Sequence, residues 1–345
     1  MIKNDKNKIK IVQIGLGHDH APMALRSILK QEDIFEFCGL YIPENEIDTF
    51  CEKVSEFSYV KSITLEELLN NPEIEAVVIE TEEKNLTKYA LLTAEHGKHI
   101  HMDKPGGMEL SDFEKLIDIV KEKKVQFHTG YMYRYNPEVI RLKEQIKNGE
   151  LGEVFAVEAQ MSTVFPSTTE KRQWLGNFKG GMMFFLGCHL IDIIVSIMGT
   201  PEKIVPYIKS TGIDGTTSED FGMAVLEYKN AVSFAKCCAV EVAGGGRRQI
   251  VVCGTKKTVE IKPIEIYDEN SASQMCTDVA YYQNKTWEPD EKVRSKGFDR
   301  YDGMMKHFAD CIRQTIENEY TPDYELFVYK CVLKACGYDV NYKED

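Results

Sequence analysis

The sequence has no segment in which lysine and arginine gather among aromatic residues. Its 345 residues carry 42 Lys and Arg against 55 Asp and Glu, a formal net charge of -13 at pH 7. A protein that binds a phosphate backbone needs a local excess of positive charge. The composition therefore predicts that nucleic acid is not a partner.

The sequence also lacks an uninterrupted apolar run suited to a membrane. The N-terminus, MIKNDKNKIK, is charged and has neither the apolar stretch nor the small-residue cleavage site of a secretory signal. The most apolar region, residues 180–199, carries His189 and Asp192 near its middle, and both side chains are costly in hydrocarbon. We expect a buried helix there, no membrane segment, and a cytoplasmic location.

The ten cysteines include no Cys-x-x-Cys pair. In a chain of this length, thiols without such spacing are more typical of a reducing compartment than of a disulfide framework. We expect most of them to be small core residues.

The first part of the chain has the pattern of an α/β domain. From residue 9 to about 130, short apolar strands alternate with helical stretches, which is typical of a doubly wound parallel sheet. The predicted strands are IKIVQI, FEFCGLY, AVVIET, KHIHM and VQFHTGY. A helix between the last two is expected to begin at a capping box formed by Ser111 and Glu114.

After residue 150 the apolar runs become longer. The segments VFAVEAQMSTVF, FGMAVLEYKNAVSFAKCCAVEV and RRQIVVCGTKKTVEIKP predict a large open, mainly antiparallel sheet. Helical stretches at 182–198 and from about 300 to 337 make this half α+β. We therefore predict two domains, residues 1–129 and 130–345. A second subunit is the natural cover for the open sheet face.

The turn after the first strand, GLGHDHAP, keeps two glycines of a dinucleotide-binding G-x-G-x-x-G turn. Gly15 and Gly17 supply the tight turn and the close backbone approach, and the helix beginning near His20 would aim free N–H groups at a pyrophosphate. His20 stands in place of the third glycine. His18 and His20 either face the phosphates or simply cap and pack the helix start. No third or fourth metal ligand is evident, so no metal site is predicted.

The second strand ends without the acidic residue that usually binds the ribose hydroxyls. It runs into Ile42 and Pro43, and Glu44 either substitutes for that acid or is a solvated turn residue. No nearby arginine or lysine offers a partner for a 2′-phosphate. The sequence therefore favours NAD over NADP as the cofactor.

Three further stretches follow: GKHIHMDKPGG at 97–107, GYMYRYNP at 130–137 and KGGMMFFLGCHLID at 179–192. With the glycine turn, they resemble in order and spacing the Gfo/Idh/MocA family of sugar and inositol dehydrogenases. The resemblance covers nearly the whole chain. It implies an N-terminal Rossmann domain, a C-terminal open sheet that forms a homodimer or homotetramer, and a nicotinamide cofactor.

The resemblance also assigns roles to residues. Lys104, in the place of the family's Glu-Lys-Pro lysine, would contact nicotinamide and substrate, and His189 would exchange the proton of the substrate hydroxyl. Asp192 lies on the same helical face and could orient the His189 ring. The predicted cofactor contacts are Gly15, Leu16, Gly17, His18, His20, Thr81, Asp103 and Lys104.

The segment YMYRYNP is similar to a stretch that lines the family's substrate pocket. Tyr133 and Arg134 would contact hydroxyls or an acidic group, although core packing is the alternative for the tyrosines. Trp174 could stack on a sugar ring or close the core. The predicted substrate-binding residues are Tyr133, Arg134, Trp174 and Asp192.

Three positions depart from the family pattern. Phe185 stands where an aspartate is common, Leu86 where a histidine often follows the third strand, and Ile42 where the ribose acid is expected. The leading hypothesis is an NAD-dependent dehydrogenase acting on a secondary alcohol of a sugar, cyclitol or carbohydrate derivative. The alternatives are an NAD-dependent enzyme that cleaves glycosides by transient oxidation, and a non-catalytic nucleotide-binding sensor.

Overall fold

The computed structural model describes residues 8–163, 169–268, 271–284 and 287–343. The chain divides into two compact units. The first contains Met1–Tyr131 and Tyr301–Leu326, and the second contains Met132–Arg300 and Phe327–Asp345. The first boundary between the units, between residues 131 and 132, lies two residues from the expected boundary at 129/130. The structure differs from the predicted division at residues 301–326, which belong to the first unit.

Five parallel strands form the sheet of the first unit: β1 (Ile9–Ile14), β2 (Phe35–Tyr41), β3 (Ala76–Ile79), β4 (His99–Met102) and β5 (Phe127–Thr129). They lie in the order β2-β1-β3-β4-β5. On the outer edge of the sheet, Leu40 of β2 pairs in parallel with Ser62 through an isolated bridge. This bridge lies where a sixth strand would pair with β2. The strand order reverses between β1 and β3, and doubly wound sheets bind ligands at such a reversal. The predicted parallel α/β fold is confirmed.

Six helices accompany these strands: α1 (Ala21–Lys30), α2 (Glu44–Ile47), α3 (Cys51–Glu56), α4 (Leu65–Asn70), α5 (Leu86–Glu95) and α6 (Leu110–Lys123). The apolar face of α1 is buried in a cluster with Leu16, Leu40 and Phe57. This packing fixes the start of α1 directly behind the glycine turn.

The capping box predicted at Ser111 and Glu114 is wrong. Helix α6 begins at Leu110, two residues before the start that an N-cap at Ser111 implies, and Glu109, at its N-cap, makes no side-chain cap. Ser111 therefore lies inside the first turn. A capping box is found instead in α4, where the Thr64 hydroxyl accepts from the Glu67 amide and the Glu67 carboxylate accepts from the Thr64 amide.

The second unit is built on ten strands: β6 (Val154–Ser162), β7 (Lys203–Lys209), β8 (Phe221–Tyr228), β9 (Ala231–Cys238), β10 (Gln249–Gly254), β11 (Thr258–Ile261), β12 (Ile266–Asp268), β13 (Ser271–Cys276), β14 (Asp278–Tyr282) and β15 (Glu291–Arg294). Eight of them form one sheet in the order β15-β14-β11-β10-β6-β9-β8-β7. Among the described strands of this sheet, β6 and β9 pair in parallel and the other neighbours pair antiparallel. The predicted large, mainly antiparallel sheet is confirmed, and β12 pairs with β13 separately.

Helices α7 (Pro137–Lys147), α8 (Thr169–Trp174) and α9 (Cys188–Met198) belong to the second unit. A π-helical turn, Met183–Gly187, leads into α9, and every residue from Cys188 to Val195 is buried. The apolar region 180–199 is therefore a core helix packed on β6 and β9. In the part of the chain that the structure describes, no helix combines the length and hydropathy that a membrane crossing requires.

The last two helices are α10 (Asp302–Ile312) and α11 (Pro322–Ala335). Helix α10 shows why residues 301–326 belong to the first unit. Asp302 accepts a hydrogen bond from the Ser27 hydroxyl at 2.9 Å. Phe308 is fully buried, and its ring centre lies 5.9 Å from that of His101 and 5.6 Å from that of His128. These contacts join segments far apart in sequence.

We expect Phe308→Ala to lower the free energy of unfolding by about 3–5 kcal/mol, because it leaves a cavity beside two buried imidazole rings. Ile316→Ala is the matched control, since Ile316 lies in the same segment but is 40% exposed; its effect should stay within about 1 kcal/mol. Urea denaturation followed by circular dichroism measures both. Equally small effects would contradict the assignment of 301–326 to the first unit.

Candidate functional site

The turn between β1 and α1 packs closely against the loop that follows β3. Gly15 has a φ of +85°, and a Cβ there would lie 2.7 Å from the Thr81 side chain. A Cβ at Gly17 would lie 2.5 Å from the amide nitrogen of Glu82. Both positions therefore need glycine. The structure thus brings together Gly15, Leu16, Gly17 and Thr81, four of the predicted cofactor contacts.

A buried carboxylate that the sequence analysis missed binds this turn. One oxygen of Glu46 accepts hydrogen bonds from the amides of Leu16 and Gly17, both at 2.9 Å, and the other accepts from the Glu82 amide at 3.0 Å. Burial raises the pKa of Glu46, although these three amides favour its ionised form. Glu44, the acid considered from the sequence, is exposed.

His18, His20 and Asp103 converge beside the turn. One Asp103 oxygen lies 3.1 Å from Nδ1 of His18 and 3.0 Å from Nδ1 of His20. Burial lowers the pKa of His20 to about 4. Burial opposes the ionisation of Asp103, but the two imidazoles hold its pKa well below the usual range. His20 occupies the N-cap position of α1 without capping it through its side chain. The His20 amide donates to Nδ1 of His18 at 3.2 Å, so His18 also contacts the start of the helix. The structure thus places both imidazoles against Asp103, and it places His18 at the helix start as well.

Two further acids, also missed from the sequence, lie against His18. An oxygen of Glu80 is 3.8 Å from His18 Nδ1, and an oxygen of Glu83 is 3.5 Å from His18 Nε2. Both side chains are buried. Burial and the Asp103 carboxylate raise the pKa of Glu80 well above its ordinary value. The sequence signal for Glu80 and Glu83 is the acidic run ETEE, which directly follows β3.

Lys104 follows Asp103 just past the end of β4 and is 1% exposed. The Asp103 carboxylate accepts a hydrogen bond from the Lys104 amide at 2.6 Å. A lysine is rarely buried without polar or anionic neighbours, and the charge of Lys104 favours the ionised form of Glu80. The ammonium of Lys53 donates to the His18 carbonyl at 2.9 Å. The predicted cofactor residues, Asp103 among them, therefore lie together with three further buried acids, Glu46, Glu80 and Glu83.

In the second unit, Arg134 and Asp192 form a buried ion pair. Nε of Arg134 donates to both Asp192 oxygens at 3.0 Å, and Nη2 donates to one of them at 2.7 Å. The pair joins the 3₁₀ turn Met132–Tyr135 to α9. Where the sequence predicts that Asp192 orients His189, the structure shows Asp192 bonded to Arg134.

His189, the single histidine of the second unit, is 1% exposed. The Tyr133 ring meets it edge to face, with ring centres 5.0 Å apart. The Tyr133 hydroxyl donates to Glu265 at 2.7 Å, and Arg248 and Arg300 each pair with Glu265 at 2.7 Å. Burial and the Glu265 carboxylate raise the pKa of Tyr133. His189 therefore packs against Tyr133, whose hydroxyl is bonded to the buried Glu265 carboxylate.

Trp174 lies in an aromatic cluster of the second unit. Its ring contacts Phe178 at 4.8 Å and Phe185 at 5.2 Å between centres. The ammonium of Lys171 lies 4.3 Å from the centre of the same ring. These contacts favour the core-closing alternative for Trp174. They also place Phe185, a departure from the family pattern, in a buried apolar setting.

We expect Asp192→Ala to lower the free energy of unfolding by about 3–5 kcal/mol, because it removes the carboxylate that is bonded to the buried Arg134 guanidinium. Asp278→Ala is the matched control: Asp278 binds Arg294 through two bonds of 2.6 and 2.8 Å, but on the surface. Its cost should be about 0–1 kcal/mol. Calorimetric unfolding compares the two, and equal costs would contradict a structural role for the buried pair.

Comparison with known proteins identifies both halves of the chain. The profile of an oxidoreductase family with an NAD-binding Rossmann fold matches residues 9–131, and that of the GFO/IDH/MocA C-terminal domain matches residues 139–260. Aldose-aldose oxidoreductase from Caulobacter crescentus, solved with glycerol, has the same fold with a TM-score of 0.74. The alignment covers 96% of this chain and 98% of that one at 17% identity.

Curated relatives match over shorter lengths. The scyllo-inositol 2-dehydrogenase (NADP(+)) IolW of Bacillus subtilis is 23% identical over 186 residues, 54% of this chain and 52% of that protein. The uncharacterised oxidoreductase YhhX of Escherichia coli is 25% identical over 57% of this chain, and trans-1,2-dihydrobenzene-1,2-diol dehydrogenase of Mus musculus is 24% identical over 64%. The chain spans about half the length of YhhX and IolW, 56% and 52%. With both family profiles matched in sequence order, the chain belongs to the Gfo/Idh/MocA family of oxidoreductases.

Proposed function

We propose that this oxidoreductase is an NAD(P)-dependent dehydrogenase acting on a secondary alcohol of a sugar, cyclitol or related carbohydrate derivative. The observation that carries the proposal is Lys104, buried beside Asp103 at the carboxyl edge of a parallel sheet, where such sheets bind ligands. IolW is named for an inositol and the mouse relative for a cyclic diol. Both names support a polyol substrate.

In this proposal Lys104 holds the substrate oxygen, and the His189 imidazole takes or returns the hydroxyl proton. Proton transfer by a positioned group contributes roughly 10²–10⁴ in rate. The nicotinamide, when bound, supplies the hydride acceptor or donor. Substrate contacts by Tyr133, Arg134, Trp174 and Asp192 stay a prediction, because the polar groups of three of them are bonded inside the second unit.

The glycine turn suits a dinucleotide, since Gly15 and Gly17 carry no side chains of their own and α1 begins directly behind them. Two of its amides bind Glu46. A pyrophosphate must therefore displace this carboxylate or use other donors. We favour NAD over NADP because Glu46 adds an acid to this region, where a further phosphate group would be repelled.

The outer face of the large sheet supports a homo-oligomer. Val205, Val225 and Phe234 lie side by side on β7, β8 and β9, next to the pair of Tyr207 and Met223. Tyr207 is 52% exposed and the others are partly exposed. A contiguous apolar face of this kind is commonly an interaction surface. We include a homodimer or homotetramer through this sheet, and a cytoplasmic location, in the proposal.

Lys104→Met and His189→Asn should each reduce kcat by roughly 10²–10⁴, because each removes a group that handles the substrate hydroxyl. NADH absorbance across a panel of cyclitols and sugars measures turnover. Lys115→Met and His96→Asn, both exposed, are the matched controls. Full activity in the Lys104 and His189 variants would contradict the assignment. Aglycone release without net NADH would support glycoside cleavage instead.

Glu46→Gln and Glu46→Ala should each tighten NAD binding by about tenfold, because they remove a buried negative charge from the pyrophosphate turn. The glutamine variant retains an oxygen acceptor for the amides and protects the fold. Glu44→Ala, an exposed acid in the same helix, should leave the Kd unchanged. Titration calorimetry measures all three. Weaker binding in both Glu46 variants would show that Glu46 binds the ribose rather than competing with phosphate.

A further inference from the structure

We propose that His18, His20 and Asp103 form a binding site for a divalent transition-metal ion of the Zn²⁺ class, with Glu80 completing the donor set. The site would lie wholly in the first unit, at the carboxyl ends of β1, β3 and β4. The three residues are also predicted cofactor contacts, so the metal is tested in the absence of nucleotide and by readouts other than dehydrogenase activity.

The distances suit a single ion. One ligand atom from each of His18, His20 and Asp103 lies within 4.8 Å of the other two. The Asp103 oxygen is 3.1 Å from one imidazole nitrogen and 3.0 Å from the other. Ligands that bind Zn²⁺ at about 2.0–2.1 Å in a tetrahedron lie roughly 3.3 Å apart. Small side-chain movements therefore suffice to place an ion among the three.

A second, independent observation is a set of buried polar atoms without hydrogen bonds. Both oxygens of Glu80, Nε2 of His18 and Nε2 of His101 are buried, and none has a hydrogen-bond partner in the described part of the chain. Glu80 is fully buried, and one of its oxygens is 3.8 Å from His18 Nδ1. Such atoms in a native core call for an ion or water. A cation here would give Glu80 a partner.

The charges agree with this interpretation. Asp103, Glu80 and Glu83 each bring an oxygen within 4 Å of His18, which is fully buried. Buried carboxylates are costly unless they are paired or bind a metal. Lys104 and Lys53 are cations in the same region, so a divalent ion would bring the total positive charge closer to that of the acids.

The donor types select the class of metal. Two imidazoles with carboxylates suit Zn²⁺ and neighbouring first-row ions, whereas Mg²⁺ and Ca²⁺ prefer oxygen ligands alone. His101 lies 4.0 Å from the second Glu80 oxygen and could orient that carboxylate. The spacing His-x-His within the glycine turn places two ligands on one loop, and the strand ends supply the others.

The test uses the full-length protein, stripped with a chelator and titrated with Zn²⁺, Co²⁺ or Mg²⁺ in the absence of nucleotide. We expect one Zn²⁺ per chain by elemental analysis after gel filtration, visible absorption bands with Co²⁺, and a higher Tm with Zn²⁺. Mg²⁺ should produce no shift at the same concentration. Binding of Mg²⁺ as tight as that of Zn²⁺ would overturn the proposed metal class.

His20→Ala and Glu80→Gln should each weaken Zn²⁺ binding by at least about tenfold. His20 is partly exposed, so its variant is expected to fold, and its circular dichroism checks this. His96→Ala, which removes an exposed histidine elsewhere in the same unit, should leave binding unchanged. Unchanged affinity in His20→Ala, or no Zn²⁺ retained by the wild type, would overturn the site. These readouts do not depend on dehydrogenase activity.

Discussion

The carboxylate of Glu46 holds together the two loops on which the first unit's site is built. It accepts from two amides of the glycine turn and from one amide of the loop after β3. A buried amide without an acceptor costs about 1–3 kcal/mol, so three shared amides make these loops move as one. His18 directly follows the two glycines of the turn, and Glu80 is the first residue of the loop after β3. The His18 amide also donates to the Glu80 carbonyl at 3.0 Å, so this backbone bond and the Glu46 carboxylate together hold the two residues close.

Much of the fold follows from the sequence because parallel strands buried on both faces are continuous apolar runs. The bounds of β1 and β2 match the predicted segments IKIVQI and FEFCGLY. Strand β15 was not predicted, because EKVR is a short, polar edge strand. The placement of residues 301–326 depends on Phe308 meeting rings far earlier in the chain. No local pattern encodes such a contact.

The candidate site residues could likewise be predicted only in part. Sequence motifs predicted Lys104 and His189 because these residues lie within motifs of recognisable spacing. Glu46 was not predicted, because an acid in a polar stretch such as PENEID is usually solvated. Its side chain is buried by the tertiary structure. Sequence spacing likewise could not pair Arg134 with Asp192, which lie 58 residues apart. Buried charges find their partners through the tertiary structure, where burial makes an unpaired charge costly.

The distribution of histidines makes the protein easy to observe. Of eight histidines, His189 alone belongs to the second unit. An isotope-labelled imidazole spectrum would therefore contain the signals of a single ring from that unit, and their movement during a ligand titration would report on the surroundings of His189. The other seven rings would report on the opposite half of the polypeptide. Two events in one molecule can thus be followed in a single experiment without attaching a probe.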